Sequence, residues 1–405
     1  MAESYPMKGG DADYSYYKNS FFQREAINTA KRLIDETIAH NLNIKDLLFG
    51  SSSSFNIADL GCSVGPNTFI CIQLGQIPLF AVKYKCQSQG LASRIPEFQV
   101  FFNDHVLNDF NTLFRSLPPE SGYFAAGVPG SFHGRLFPRS SLHFIHTSTA
   151  LHWLSQVPEE ILEKNSPAWN KGRIFYTNAS AEVCKAYATQ FAKDMEIFLD
   201  ARAKELVVGG IVVIMVPTIP DGISHSCESC NVLFDLLGSI LMDMAKEGLV
   251  SEAQVDSFNL PMYIPHAKEM IELVERNRCF NIERIESYKF LSGFDTDKAL
   301  EGEEVQVTRE VQVDSFNLPI YIPSAKEMTE LVKRNSCFLI ERIELFKAFS
   351  AIDVMTNGKT LTKHWRAALE GIISKHFGSG IVDELFDRFL KKMQEFSSQV
   401  QASLT

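Results

Sequence analysis

The sequence predicts an α/β fold with a parallel sheet. Short apolar segments alternate with stretches of helical periodicity, which is the pattern of repeated strand–helix units. The first apolar segment, 55–60, runs into a turn that contains Gly61 and Gly65, and helix-like residues follow from Thr68. Such a glycine turn lies at the carboxyl end of a strand, where open α/β sheets bind ligands.

The other elements follow in order along the chain. Apolar residues recur at helical spacing over 21–40, and a link of serines at 51–54 leads into the first strand. Further strands are predicted at 98–102 and 142–145, a buried strand at 207–217, and a short strand or edge segment at 173–177. Further helices are predicted over the ranges 68–86, 108–117, 181–205 and 231–249.

Two irregular segments attract attention. The N-terminal arm (residues 5–23) is rich in aromatic side chains, whereas disordered tails are poor in them, so we expect this arm to pack over another part of the protein. The segment 127–138 carries three glycines and two prolines, which predicts a non-repetitive loop of the kind that often holds functional residues.

Composition excludes some classes of function. The net charge of −10 argues against nucleic acids and anionic membranes as partners, since both require basic surfaces. Nothing resembles a secretory signal or a membrane span, and the eight cysteines form no dense framework, so we expect a reduced, cytoplasmic location. Cys227 and Cys230 have C-x-x-C spacing without a second pair, and we interpret them as ordinary thiols.

The turn after the first strand reads Asp59-x-Gly61-x-Ser63-x-Gly65. It is neither a dinucleotide fingerprint nor a phosphate loop, because Ser63 stands where a glycine is needed and no Gly-Lys-Ser/Thr follows. The form is similar to the cofactor turn of S-adenosylmethionine (SAM) methyltransferases, in which Asp59 would face the ammonium group of SAM. The alternative is a tight strand-to-helix turn without a ligand.

Polar residues also follow two later strands. Asp104 ends the second strand, where an acid suits the two ribose hydroxyls of an adenosine cofactor. It follows Asp59 by 45 residues, much more than the spacing of about 20 in dinucleotide folds, which argues against NAD. His152 and Trp153 come just after the third strand, on the expected ligand side. The alternatives are a loop acid or helix cap for Asp104, and packing for His152 and Trp153.

An internal repeat occupies the last third of the chain. Residues 254–286 and 312–344 match at 27 of 33 positions with an offset of 58, which indicates a recent tandem duplication or an error of the gene model. Two copies cannot fill one place in a packed domain. We therefore expect one copy to pack natively and the other to form an added surface element, so that deletion of 255–312 leaves thermal stability largely intact.

The joined motifs resemble the plant family of salicylate, benzoate and theobromine methyltransferases (SABATH). The resemblance covers nearly the whole chain. Members of the family are shorter than this chain by about the length of one repeat. It is carried by motifs that are specific only in combination: Met7-Lys-Gly-Gly10, Ser15-Tyr16, Asn19-Ser20, Gln23, Ala58-Asp-Leu-Gly-Cys-Ser-Val-Gly-Pro-Asn67, Phe102-Asn-Asp104, Asp109-Phe-Asn111, Phe114-Arg-Ser-Leu117, Gly127-Val-Pro-Gly-Ser-Phe132, Leu142-His-Phe-Ile-His146, His152-Trp-Leu-Ser155 and Val255-Asp-Ser-Phe-Asn-Leu-Pro261.

The resemblance implies a Rossmann-like SAM-dependent methyltransferase sheet with an α-helical cap, in a protein that is commonly homodimeric. The implied parts are an arm and helix that close over the active site (1–50), the SAM-binding α/β core (51–217), cap helices (218–265), remaining core elements that include the repeat (266–350), and C-terminal cap helices (351–405).

The resemblance also implies the site residues. The SAM site would be lined by Tyr16, Asp59, Cys62, Asn67, Asp104, His105, Ser131 and Phe132, with His105 offering only its backbone. The substrate would contact Gln23, His152, Trp153 and Thr149. The resemblance further implies a magnesium site, whose role would be structural at most. Its residues would be Asn178, Asp256, Phe258 and Asn259. The second copy of the repeat carries the matching Asp314, Phe316 and Asn317, so it stays open which copy would supply the site.

The expected activity is methylation of a small-molecule carboxylic acid, such as a terpenoid, iridoid or aromatic acid, to a methyl ester. The acid is already ionised at pH 7, so the site needs groups that position it and no catalytic base. Thr149 departs from the family, where many carboxyl methyltransferases have tyrosine, which leaves the identity of the acid open. The alternatives are N-methylation of a purine-like ring and a SAM-binding protein inactivated by the repeat.

Overall fold

The computed structural model of the chain describes residues 6–44, 54–70, 72, 78–119, 121–219, 229–286 and 358–404. Contacts divide the chain into one unit formed by 1–285 and 355–405, and a second unit, 286–354, of which only residue 286 is described. The second copy of the repeat (312–344) and residues 220–228, with Cys227, lie outside the described residues.

Helices and strands alternate along the described residues, as the periodicity predicts. The strands are β1 (Ser54–Leu60), β2 (Glu97–Asp104), β3 (Phe124–Pro129), β4 (Leu142–Ser148) and β5 (Leu206–Met215). The helices are α1 (Tyr16–Asn19), α2 (Phe21–Asn41), α3 (Asn67–Phe69), α4 (Pro78–Ser88), α5 (Phe110–Arg115), α6 (Ala181–Glu205), α7 (Ser229–Lys246), α8 (Glu252–Ser257), α9 (Ala267–Asn277), α10 (Gly358–Phe377) and α11 (Val382–Leu404).

The strands form a parallel sheet in the order β3-β2-β1-β4-β5. β1 lies in the middle, paired with β2 on one side and with β4 on the other. The chain therefore leaves β1 for one half of the sheet and later returns to build the other half. In doubly wound sheets this reversal opens a crevice at the carboxyl ends of the strands, and the glycine turn after β1 lies there.

One apolar cluster of the core lies between the sheet and helices α2 and α4. Ile38 of α2, Val82 of α4 and Ile57 of β1 are each completely buried in one apolar cluster. Such burial contributes roughly 1.5–3 kcal/mol per large apolar side chain. The cluster fixes β1, and with it the position of the turn that follows.

The N-terminal arm packs against α10, which confirms that it covers another part of the protein. The Lys8 amide donates to the Ala367 carbonyl at 3.0 Å, and the Lys8 ammonium pairs with Glu370. The His364 ring donates from Nδ1 to the carbonyl of Asn19 at 2.7 Å. The first and last parts of the chain are thus joined along one helix.

The structure corrects two strand predictions. Residues 174–177 are buried, but the segment 173–177 forms bends and turns. Its backbone bonds within turns and to other loops, as in the 2.8 Å bond from the Leu260 amide to the Ile174 carbonyl. The strand β5 was expected to be buried, yet none of its residues is buried and Val208 is 98% exposed. Among the described residues β5 is hydrogen-bonded only to β4, so its other edge has no neighbouring strand there.

The first copy of the repeat is packed only in its first two thirds. Val255, Phe258 and Leu260 are buried, and helix α9 follows. Residues 279–286, which end this copy, form no strand, and most of their side chains are exposed. Among the helices of the described part of the chain, none is long and apolar enough to cross a membrane.

Candidate active site

The turn after β1 is a tight bend against the segment that follows β4. Gly61 has a φ of +80°, and a Cβ at this position would lie 2.5 Å from the Cβ of Ala150. Both the backbone conformation and the lack of space therefore require glycine. The amides of Gly61 and Cys62 each donate to the Asn103 carbonyl at 2.9 Å, which ties the turn to β2.

Ser63 continues the bend with a φ of +52°, which is uncommon for a residue with a side chain. Its amide donates to Asp104 Oδ2 at 2.7 Å, and its carbonyl accepts from Asn108 Nδ2 at 3.0 Å. The Ser63 hydroxyl oxygen is buried without a hydrogen-bond partner in the described structure. Strained residues of this kind cluster at functional sites.

Asp104 lies beside this turn, as its predicted role requires. Burial raises the pKa of the Asp104 carboxyl above its ordinary value, and the amides of Ser63 and His105 lower it in part. The Tyr16 phenol lies close enough to Asp104 for the two groups to interact. Burial, and to a smaller extent the charge of Asp104, raise the pKa of this phenol above its ordinary value, so it keeps its proton at pH 7. His105 takes part through its backbone, with its amide donating to Asp104 Oδ1 at 2.7 Å.

A small cavity opens at the carboxyl end of β1 and β4. Elements distant in the sequence converge on it, namely the arm, α2, the turn after β1 and the end of β4. The lining residues are Tyr16, Gln23, Ile27, Asp59, Gly61, Cys62, Ser63, Gly65, Asn67, Thr68, His146 and Ser148.

Asp59 enters the cavity with its carboxylate held by two neighbours. Its Oδ1 lies 2.7 Å from His146 Nδ1, and its Oδ2 accepts a hydrogen bond from the Thr68 hydroxyl. Only 4% of Asp59 is exposed. The carboxylate therefore has a fixed direction at the place where the resemblance puts the ammonium group of SAM.

The other predicted cofactor residues frame this cavity. Asn67 lines it, but its amide donates to the Ser20 carbonyl at 2.8 Å and accepts from Arg24 Nε at 3.3 Å, so it also ties the turn to α2. Ser131 and Phe132 are not among the lining residues. A Cβ on Gly61 would nevertheless lie 3.7 Å from the Phe132 ring, which places this loop next to the turn.

A buried ion pair on α6 supports the loop that carries Phe132. Arg202 and Glu205 are both 0% exposed, and Arg202 Nε donates to Glu205 Oε2 at 2.8 Å. Arg202 also donates to the carbonyls of Phe132 at 2.7 Å and Gly134 at 2.8 Å. Glu205 Oε1 accepts from the amides of residues 136 and 137 at 2.5 and 3.0 Å. The sequence analysis did not identify this pair.

Gln23 and His152 each present a polar atom without a partner. Gln23 Oε1 and His152 Nδ1 are buried and unbonded in the described structure. Gln23 lines the cavity, and rotation of its amide presents Nε2 as a donor. Burial lowers the pKa of His152 to about 4, so its ring is neutral at pH 7 and can donate one hydrogen bond without adding positive charge.

Thr149 and Trp153 flank His152 in the segment that follows β4. Thr149 has a φ of +54°, an outlier for a β-branched residue, and its amide donates to the Met215 carbonyl at 2.8 Å. Trp153 forms an isolated antiparallel bridge with Met262. The ring of His133, in the loop beside Phe132, lies close to the backbone of Trp153, so this loop is next to the segment that follows β4.

The residues that the resemblance assigns to magnesium already hold other partners. The Asp256 Oδ1 accepts from the Gly172 amide at 2.8 Å, and the Asn259 Oδ1 accepts from Asn170 Nδ2 at 2.7 Å. Magnesium requires several free oxygen ligands in octahedral geometry. One oxygen of Asp256 and the side-chain oxygen of Asn259 are thus already engaged with the 170–172 loop.

The remaining two members of that set do not change this. Asn178 donates to Asp235 on α7, and Phe258 packs against His376 and Phe377. Among the residues that the structure describes, no three His, Cys, Asp or Glu side chains form a group that could hold a metal ion. The magnesium site stays a prediction from the resemblance.

Comparison with known proteins agrees with this geometry. A profile of the family described as SAM dependent carboxyl methyltransferase matches residues 2–311 and 303–404, and the two matches meet between the copies of the repeat. Loganic acid O-methyltransferase of Catharanthus roseus is 41% identical over 395 residues, which are 97% of this chain and 89% of that protein. The 3,7-dimethylxanthine N-methyltransferase of Camellia sinensis var. assamica is 33% identical over 392 residues, 95% of this chain and 89% of that protein.

A solved structure gives the same answer for the fold. The structure described as loganic acid methyltransferase with SAH superposes with a TM-score of 0.76 at 40% identity, and the match covers 96% of this chain and 92% of that one. The resemblance to the SABATH methyltransferases is thereby confirmed, together with SAM as cofactor and with carboxyl methylation as the activity by which the family is described. The chain belongs to the family of SAM-dependent carboxyl methyltransferases.

Proposed function

We propose that this enzyme methylates the carboxylate of a small terpenoid, iridoid or aromatic acid, with Gln23, His152 and Trp153 positioning the acid. The observation that carries the proposal is a pair of buried polar atoms without partners in the described structure: Gln23 Oε1, in the cavity that contains Asp59, and His152 Nδ1, in the segment that follows β4. Buried polar groups without partners are uncommon in folded proteins, and a polar substrate group would satisfy them.

The chemistry requires positioning and little else. When bound, SAM supplies an electrophilic methyl group on its sulfonium. A carboxylic acid with a pKa of about 4 to 5 is already ionised at pH 7, so no general base is needed. The Cys62 thiol lines the cavity, but burial, Asp104 and Asp59 raise its pKa, so it stays protonated and is not a nucleophile.

The neutral ring of His152 suits this task. A positively charged imidazole would oppose the approach of a sulfonium, whereas a neutral N–H orients the carboxylate without that repulsion. A Gln23 amide turned to donate from Nε2 would hold the acid from the α2 side. Such orientation lowers the barrier by several kcal/mol, up to roughly 7–11 kcal/mol in favourable cases.

Closure of the arm would exclude water from the site. Tyr16, at the start of α1, lines the cavity, and Lys8 and Asn19 fasten the arm to α10. A water-excluded cavity favours a reaction in which an anion and a sulfonium neutralise each other. We further propose that the enzyme is a homodimer in the cytoplasm, which light scattering of the purified protein and imaging of a tagged chain would test.

The test is a panel of acids incubated with the enzyme and labelled SAM, with methyl esters detected by mass spectrometry. Gln23→Leu should lower kcat/KM for the best acid by about 100-fold, since it removes the orienting amide. Gln89→Leu, at an exposed position of the turn after α4, is the control and should leave kcat/KM unchanged. An enzyme that forms no ester from any acid would contradict the proposal.

A second candidate is N-methylation of a purine-like ring. The 33% identity to a xanthine N-methyltransferase favours it, as does Thr149, which is smaller than the tyrosine of many carboxyl methyltransferases. Xanthines in the same panel distinguish the two. Methylated xanthine without any methyl ester would favour the second candidate.

A further inference from the structure

We propose that His146 is a positioning residue that directs the Asp59 carboxylate toward the ammonium group of SAM. The inference rests on the proposed contact between Asp59 and that ammonium group. It adds a residue on β4 that acts through Asp59 and that the sequence analysis did not assign to the site.

The strand register places the two side chains together. Asp59 of β1 and His146 of β4 are paired residues of the parallel ladder, so their side chains leave the same face of the sheet next to each other. The Nδ1 of His146 lies 2.7 Å from Asp59 Oδ1. A carboxylate only accepts hydrogen bonds, so Nδ1 carries the proton and donates it to this bond.

Burial makes the contact matter. His146 is 3% exposed and Asp59 is 4% exposed, so water cannot replace a lost donor at this carboxylate. Charge-assisted hydrogen bonds in such surroundings are roughly twice as strong as neutral ones. The Thr68 hydroxyl donates to Oδ2 and the His146 imidazole donates to Oδ1. Together they hold the Asp59 side chain in one rotamer, in which the remaining lone pairs of the carboxylate face the cavity.

The same strand carries a matched control. His143 is 5% exposed, and its Nδ1 accepts from the Asn56 amide at 3.0 Å near the opposite end of the β1–β4 ladder. It stacks on Phe55 with ring centroids 4.9 Å apart, and neither residue lines the cavity. Replacement of His143 should therefore disturb folding without changing the cofactor site.

The experiment measures SAM affinity of the full-length enzyme by titration calorimetry. His146→Leu should raise the Kd for SAM by about 10- to 100-fold, the loss expected when a hydrogen bond to a charged group is removed. His146→Asn places an amide N–H where Nδ1 stood and should stay within about threefold of the wild type. His146→Gln places its amide near the Nε2 position and should not restore affinity. Both expectations follow from the donor geometry of the three side chains.

A ligand without the amino acid part separates positioning from folding. 5′-Methylthioadenosine has no ammonium group, so its Kd should be the same for wild type, His146→Asn and His146→Gln. His143→Leu should lower the unfolding temperature and leave the Kd for SAM within about twofold, as expected for a distant buried site. If His146→Leu does not fold, the comparison of His146→Asn with His146→Gln still decides the matter.

Three outcomes would overturn the inference: equal SAM affinity of His146→Asn and His146→Gln, equal losses for SAM and 5′-methylthioadenosine, or an unchanged Kd in His146→Leu. Failure of the proposed function has a different signature, because the wild type would then bind SAM and form no methyl ester.

Discussion

Replacing Arg202 by methionine should weaken both the fold and the cofactor site. Arg202 is 0% exposed and donates to Glu205 and to the carbonyls of Phe132 and Gly134. Its removal leaves the Glu205 charge buried without a cation and two carbonyls without donors. Breaking a buried ion pair from one side costs about 3–5 kcal/mol. The unfolding temperature should therefore fall by roughly 4–6 °C.

Replacing Arg202 by methionine should also weaken the binding of SAM, through the loop that carries Phe132. Because Arg202 anchors the carbonyls of residues 132 and 134, the loop beside the glycine turn loses two of its attachments, and the KM for SAM should rise about tenfold or more. Lys204→Met, at an exposed position two residues along α6, is the control and should change stability by no more than about 0.5 kcal/mol. Differential scanning calorimetry and initial-rate kinetics measure the two effects.

A double variant tests the cause. Arg202→Met with Glu205→Leu leaves no buried charge and should recover part of the lost stability. It should not recover all of it, because the amides of residues 136 and 137 then lose their acceptor. The reasoning is refuted if Arg202→Met matches Lys204→Met in both unfolding temperature and KM.

Three further outcomes are expected. Burial holds the pKa of His152 and His364 at about 4 in the folded protein, against 6.5 in the unfolded chain. The free energy of unfolding should therefore decrease as pH falls from 6.5 toward 4, by up to about 3 kcal/mol for each ring. An unfolding temperature that does not fall across this range would contradict this. Gly61→Ala should abolish SAM binding in calorimetry because its Cβ would meet Ala150, whereas Gly90→Ala, with φ +73° and no atom within 4 Å of a Cβ, should cost only about 1 kcal/mol of backbone strain in thermal unfolding. Lys8→Met should raise the KM for SAM by no more than about fivefold in initial-rate assays, because a partly exposed ion pair contributes at most about 1 kcal/mol; a larger rise would indicate direct contact with the cofactor.

Periodicity and turn chemistry sufficed for much of the fold. The helix at 181–205 lies where its spacing predicts, and β1, β2 and β4 begin within one residue of the predictions. β3 was missed because Phe124-Ala-Ala-Gly-Val-Pro129 combines weak strand formers with a glycine and a proline, and it lies at an edge of the described sheet. Its pairing with β2 depends on a tertiary partner that local sequence does not display.

Contacts of the site could be predicted where the residues belong to one motif, but not where they come from strands that are far apart in the sequence. Asp59 and Gly61 lie in one short turn, so their proximity follows from the sequence. The contact between Asp59 and His146 depends on strand register across 87 residues, which no local pattern encodes. Arg202 and Glu205 share one helix at a spacing that surface ion pairs also use, so no local signal marks them as buried.

The attachment of the N-terminal arm to α10 constrains how the enzyme matures. Lys8 and Asn19 are synthesised first, yet their partners Ala367, His364 and Glu370 leave the ribosome almost last. A chain that lacked α10 would lack all three partners, so the arm that carries Tyr16 could not be held beside the cavity in this way.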